Sequence, residues 1–177
     1  MTRALGWLAA VGLGAGLVMA FGVAPREATQ GNVQRIMYLH VPSVWVAYVA
    51  FAVVFVASIV YLARRAERAD HVAHASAELG VLFTGLTIAT GSIWGKPTWG
   101  AWWTWDARLT SVSILFVMYL GYLLLRGMID EGDRAARYAA VLGVVAALLV
   151  NFAAFSLLYL YFLAKRVRLL RLEAAAA

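Results

Sequence analysis

The chain has 177 residues, of which 64% are hydrophobic and 14% charged, and its net charge is +6. Soluble domains carry about 45–50% apolar and about 25% charged residues, so this chain has too little polar surface to face water all round. It contains no cysteine, which excludes disulfides, zinc–thiolate sites, iron–sulfur clusters and a thiol nucleophile. The positive charge falls in short clusters between long apolar runs. That pattern suits loops lying against anionic membrane lipid. It offers no long basic face to a phosphate backbone, so nucleic acid is not an expected partner.

A helix needs about 20 apolar residues to cross a bilayer. Five apolar runs approach or exceed that length: Ala4–Ala24, Val41–Ala63 with Pro42 in its first turn, a short run Glu78–Trp94, Leu109–Leu125, and Tyr138–Ala164. The expected fold is all-α, a polytopic transmembrane helix bundle forming one integral membrane domain over residues 1–177. The small residues Gly22 and Ala24 also fit a signal-peptide cleavage site, but Pro25 would follow the cut and the apolar core is long for a signal. A retained first helix is the expectation.

Lysine and arginine near helix ends mark the cytoplasmic side. Arg3, Arg64, Arg65, Arg68, Arg126, Arg134 and Arg137 fall on one set of alternate sides, and Arg26, Arg35, Lys96 and Arg108 on the other. The first set predicts an inside N-terminus, with Gly22–His40 and Trp94–Arg108 outside. The tail opposes this scheme. Five crossings would leave Lys165, Arg166, Arg168 and Arg171 outside, whereas a sixth would bring them in. The run Tyr138–Ala164 is too long for one crossing and too short for two, and reads as two truncated helices joined without the outer loop between them. If it is two truncated helices, a break near Val145–Leu149 is expected; if it is one crossing, a continuous helix of about 40 Å at 1.5 Å per residue.

Five of the seven tryptophans fall within Trp94–Trp105, in the stretch GSIWGKPTWGAWWTWDARLT from Gly91 to Thr110. One reading is an aromatic belt at the membrane interface. The other is an apolar shelf for a large planar ligand, with indole N–H donors at its rim. Trp99, Trp102 and Trp103 are spaced three and four apart, so a short helix would put them on one face. Gly95, Lys96 and Pro97 read as a turn. Asp106 suits the N-cap of the fourth helix or a local pair with Arg108. Lys96 and Arg108 are candidates for pairing with ligand carboxylates.

His40 lies in QGNVQRIMYLHVPSVW, where Val33, Ile36, Met37 and His40 share one helical stripe. A single interfacial histidine is either simply hydrogen-bonded or a metal ligand. His40 and the tryptophans are expected outside, whereas His71 and His74 read as solvated residues of an inner loop. No HExxH, nucleophile elbow or Walker loop is present, so an ordinary hydrolytic enzyme is not expected. Glu78 reads as the only acid at a helix edge, which argues against a proton or ion pump.

The Gly91–Thr110 stretch resembles the tryptophan-rich "WWD" segment of haem-handling membrane proteins. The opening GSIWGKPTWG and the ending WTWDARLT resemble one branch, the haem exporter protein C (CcmC) family of cytochrome c maturation. Related cytochrome c synthetases usually follow the WD with proline and an acidic residue, where this chain has Ala107 and Arg108. Gln30–Pro42 is similar to the same family's first outer loop, and the resemblance extends over about Val23 to Ala140. It implies a six-helix protein of the bacterial cytoplasmic (inner) membrane that binds haem outside. The haem would be haem b, held non-covalently and transiently, and handed to the periplasmic haem chaperone CcmE. The implied partners are the ABC transporter subunits CcmA and CcmB and the small membrane subunit CcmD. Carried over residue by residue, His40 matches the first axial histidine and metal ligand. Trp94, Trp99, Trp102, Trp103, Trp105 and Asp106 match the tryptophan motif, with Arg108 beside it as a haem-binding candidate. The family's third outer loop and its histidine have no counterpart in this chain. A carrier rather than an enzyme is implied; the alternative is a partner-docking or anchoring subunit of an ABC transporter complex with no haem site of its own.

Overall fold

The computed structural model describes residues 2–130 and 132–176; the side chains of residues 150–158, 160 and 169–177 lie outside the described residues. The side chain of Arg171 and the end of the alanine tail therefore fall outside the description. Within it the chain is helical, with no β-strand among the described residues. The helices are α1 (Thr2–Val18), α2 (Met37–Arg64), α3 (Glu67–Trp99), α4 (Ala107–Met128) and α5 (Gly132–Ala176). A π-turn over Met19–Val23 extends α1, and a 3₁₀ turn over Val33–Ile36 leads into α2. Among the described residues four helical stretches are long and apolar enough to cross a membrane: Thr2–Val23, Val33–Arg64, Glu67–Trp99 and Ala107–Met128. The protein is a multi-pass membrane protein with an all-α fold.

Helices α2 to α5 form the bundle. α2 packs on α3 and α5, and α4 packs on α5 and α3. Lipid tails are as apolar as leucine, so helices in a membrane associate through close packing and interhelical polar contacts rather than by escaping water. The sequence supplies small residues where close approach is needed. Ala47, Ala57, Ala73, Ala77, Ala139 and Ala146 are buried in the core around Phe51, Val54, Tyr119 and Tyr122. A Cβ on Gly80 would lie 2.4 Å from Cε1 of Phe51, and one on Gly143 would lie 3.1 Å from both Ser58 Oγ and Val54 Cγ1. Phe51 in turn stacks on Tyr119, with ring centroids 4.1 Å apart and planes 18° apart. The missing side chain of Gly80 thus lets one aromatic pair tie α2, α3 and α4 together.

α1 stands apart from this bundle. It contains no buried residue. Its end is held by Arg35, whose Nη1 and Nη2 donate to the carbonyls of Phe21 and Ala24 at 2.9 and 2.8 Å.

Three expectations are corrected. α3 begins at Glu67 rather than Glu78, so His71 and His74 are helical residues, and Nε2 of His74 lies 3.5 Å from Oε1 of Glu78 on the same helix. The early start also brings Asp70 into the bundle, buried on α3, so Glu78 is not the only acid at a membrane-spanning segment. The acids Glu67 and Asp70 in the first turn favour that start, since negative charge stabilises the positive end of the helix dipole. Second, Gly95–Lys96–Pro97 is not a turn. α3 runs through Pro97 to Trp99 and stops at Gly100, whose φ of 78° is left-handed and whose N–H donates to the Lys96 carbonyl at 3.0 Å. Proline is tolerated there because only one intrahelical bond is lost so near the end, and glycine accepts the left-handed cap without strain.

Third, the expected break near Val145–Leu149 is not seen: the backbone is helical throughout Gly132–Ala176. Val144–Leu149 holds only valine, alanine and leucine, with no glycine or proline to interrupt the ladder. At 1.5 Å per residue this helix is about 67 Å long, more than twice a hydrocarbon core of about 30 Å. The described side chains Tyr161 to Arg168 along its later part are exposed.

Candidate ligand-binding site

α2 and α3 are antiparallel and joined by a tight turn at Arg65, so the start of α2 and the end of α3 meet at one end of the bundle. His40 sits one turn into α2. Its Nδ1 lies 3.0 Å from Oγ1 of Thr90 on α3. Gly91 lies beside the ring: a Cβ there would come within 3.0 Å of Cε1 of His40. Trp94, one turn further along α3, donates its indole N–H to Oε1 of Gln30 at 3.1 Å. That bond fastens the segment before α2 over the end of α3. The segment itself turns at Gly31, with φ of 63°, and Glu27 accepts from the backbone N–H groups of Thr29 (2.8 Å) and Gln30.

Between α2, α3 and the start of α4 lies a cavity of about 350 Å³. Its walls include His40, Met37, Trp94, Trp99, Trp102, Trp103 and Arg108 at the mouth, and Ala47, Phe51, Thr84 and Leu115 deeper down. A volume in this range and a mostly apolar wall with a few convergent polar groups are usual for cofactor and small-molecule sites. Two polar atoms on its wall are buried with no hydrogen-bond partner among the described residues: Nε1 of Trp103 and Oγ1 of Thr87. An orphaned buried donor costs roughly 1–3 kcal/mol, so each is a group that a ligand stabilises by pairing with it.

The tryptophans reach the cavity by a different route from the one expected. Trp99 ends α3, and the stretch Ala101–Trp105 is irregular rather than a short helix. Two edge-to-face pairs brace the tryptophans: Trp94 with Trp99, both on α3, at 5.0 Å, and Trp103 with Trp105 in the irregular stretch at 5.7 Å between centroids. The irregular path runs between the left-handed stop at Gly100 and the new helix start at Asp106. Trp105 is not among the residues lining the cavity and is 77% exposed.

Asp106 also lies off the cavity wall. It is the N-cap of α4, and its Oδ1 accepts from the Leu109 N–H at 2.9 Å. That bond, with the nearby Arg108 guanidinium at 3.4 Å, holds its carboxyl below the usual aspartate range. Arg108 lies over the Trp99 ring, 5.1 Å from its centroid, and reaches the cavity. Lys96 does not line it; its Nζ donates to the Gly100 carbonyl at 3.0 Å and closes the end of α3.

Gln30, Thr87, Thr90 and Gly91 are part of this site without having been singled out from the sequence. Thr84, Thr87 and Thr90 recur every third residue in an apolar helix, a polar stripe that marks one face of α3. At the other end of the bundle, Tyr61 donates to Asp133 at 2.8 Å and Asp70 pairs with Arg126. His71 and His74 lie toward that end, about 28 and 24 Å along α3 from Thr90 at 1.5 Å per residue. They do not share a site with His40.

Fold and site together define a polytopic membrane bundle with one histidine-bearing, tryptophan-walled cavity at one end. The family model described as Heme exporter protein C matches residues 1–176. A Heme exporter protein C from Bradyrhizobium diazoefficiens is 45% identical over 151 residues, covering 82% of this chain and 56% of that protein. The proteins of that name from Haemophilus influenzae and Escherichia coli K12 are 39% and 40% identical, over 85% and 78% of this chain. They are covered over 61% and 58% of their own lengths, so the chain spans a little over half of these relatives. The chain belongs to the Heme exporter protein C family.

Proposed function

We propose that the protein is a haem carrier of cytochrome c maturation. It binds haem at the tryptophan-walled end of the bundle, on the outer face of the bacterial cytoplasmic membrane, and hands it to a periplasmic haem chaperone. The observation that carries this reading is that His40, four indoles and the unpaired Nε1 of Trp103 share one apolar cavity. An imidazole ligates iron, indole faces pack on a porphyrin, and Arg108 suits a propionate. The haem supplies any redox chemistry; the protein binds, orients and releases it. The partners that belong with this reading are the chaperone CcmE, the ABC transporter subunits CcmA and CcmB, and the small subunit CcmD. Trp105, exposed outside the cavity, suits contact with the receiving protein.

The chain has three histidines, and His40 is the one at this cavity. Iron therefore takes one imidazole from this chain, the haem being held otherwise by apolar contact with the indoles. Haem titrated into the detergent-purified protein should give a spectrum unlike that of a bis-histidine, low-spin site. His40→Ala should change that spectrum more than the affinity. A spectrum untouched by His40→Ala sinks the assignment of His40 as ligand. Failure to bind haem at all favours the docking-subunit reading. Orientation is tested by introducing single cysteines into this cysteine-free chain: an impermeant maleimide should reach Thr104→Cys on intact spheroplasts, and Arg68→Cys only after permeabilisation.

A further inference from the structure

The haem reading assigns a ligand but not what aims it. His40 is flanked by α3, and the contact is a short chain of hydrogen bonds. Oγ1 of Thr90 lies 2.7 Å from the Leu86 carbonyl and 3.0 Å from Nδ1 of His40. A threonine hydroxyl has one proton and two lone pairs. The carbonyl can only accept, so the short contact to Leu86 takes the proton. The hydroxyl oxygen is then an acceptor toward His40, and Nδ1 must be the donor.

A neutral imidazole carries one N–H. With that proton on Nδ1, Nε2 is left with its lone pair. The contact to Thr90 is made by Nδ1, and His40 lines the cavity, so Nε2 is the ring nitrogen left for a ligand. The ring is also fixed in position on one side. A Cβ on Gly91 would meet Cε1 at 3.0 Å and Nδ1 at 3.5 Å, so the imidazole rests against the α3 backbone where a side chain would displace it. Thr90 is buried, 8% exposed, which keeps water from replacing it as Nδ1 partner.

Resting on the haem-binding reading, we propose that Thr90 is a positioning residue, which sets the tautomer and plane of His40 so that Nε2 presents its lone pair to the cavity. Metal-ligating histidines depend on such a partner on the other ring nitrogen for orientation, and its loss typically costs 10–100-fold in affinity. Of the pair, His40 is the residue that meets the haem; Thr90 acts through it.

The test has two parts. In the haem-free wild-type protein with ¹⁵N-labelled histidine, the His40 signals, assigned by their loss in His40→Ala, should show a protonated Nδ1 and an unprotonated Nε2. The reverse tautomer overturns the proposal without reference to haem. Thr90→Val, which keeps the shape and removes the hydroxyl, should weaken haem binding about 10–100-fold and shift the iron–histidine vibration in the resonance Raman spectrum. Thr90→Ser should restore both. If Thr90→Val leaves the vibration and the affinity at their wild-type values while His40→Ala changes the spectrum, the positioning role is wrong and the haem site stands. If His40→Ala changes nothing, the haem assignment of His40 falls first and the positioning role with it. Should Thr90→Val prove unstable, the tautomer measurement still decides.

Discussion

Asp70 and Arg126 join α3 to α4 through a two-pronged ion pair, with N–O distances of 2.5 and 2.7 Å, at the end of the bundle opposite His40. Both side chains are nearly buried, 12% and 13% exposed, and the Arg126 guanidinium also lies 6.0 Å from the centre of the Tyr122 ring. A charge at this depth is tolerated because its partner and the fork geometry satisfy it.

Removing one partner leaves the other charge buried and unpaired. Asp70→Asn or Arg126→Leu should each cost about 3–5 kcal/mol, read as a lowered thermal midpoint in detergent. The double change Asp70→Leu with Arg126→Leu should recover much of the loss. The haem spectrum of the surviving folded fraction should be unchanged, because the pair lies at the far end of α3 from Thr90. Single variants as stable as the parent would show that this pair is solvated.

Gly80→Ala inserts a methyl group where the Phe51 ring already sits, 2.4 Å from the new carbon. Either α3 moves off α2 or Phe51 leaves its stack on Tyr119. Overpacking of this kind costs about 1–3 kcal/mol. Phe51→Leu in the same chain should relieve part of it, and a double-mutant cycle on thermal midpoints would detect the coupling. Additive effects would mean that the two sites do not meet as described.

Asp106 supplies a pH-dependent contribution with a definite sign. Its folded-state pKa lies below the usual aspartate value, chiefly because the Leu109 N–H bonds the carboxylate. The stabilisation is therefore complete above the unfolded value of about 3.9 and is lost as pH falls through the lower folded value. Asp106→Asn keeps a capping oxygen and should flatten the thermal midpoint against pH in that acid range. Asp106→Ala should cost about 1 kcal/mol at neutral pH through loss of the cap. An acid slope that persists in Asp106→Asn would assign it to another carboxylate.

Trp103 is expected to contribute both area and a donor to the bound ligand. Trp103→Phe retains most of the aromatic surface and removes the buried N–H, so it should weaken haem binding by about 1 kcal/mol, roughly fivefold. The axial-ligand bands should not move. Because the N–H has no partner among the described residues, the same change should leave thermal stability unchanged or raise it. A loss of stability equal to the loss of affinity would show that Trp103 serves packing alone.

Much of this molecule is written locally. Runs of apolar residues are long enough to cross a bilayer whatever they pack against, so four of the helices were legible from composition, as was the aspartate cap at Asp106. The tryptophan density between Trp94 and Trp105 marked the site because a belt does not need so many indoles in so few residues. Tertiary structure decided the rest. That Asp70 is held buried in the bundle depends on its finding Arg126 on another helix, and the run before Glu78 is not apolar enough to announce itself. Which tryptophans face the cavity depends on the irregular path after Gly100, which separates Trp105 from its neighbours. Gly80 and Gly91 look like any helical glycines until Phe51 and His40 are seen against them. The role of Thr90 arises only where two antiparallel helices bring it within hydrogen-bond reach of a histidine 50 residues earlier. Spacing along the chain governs which residues share a face of one helix; packing between helices governs which faces meet, and that information is distributed over the whole sequence.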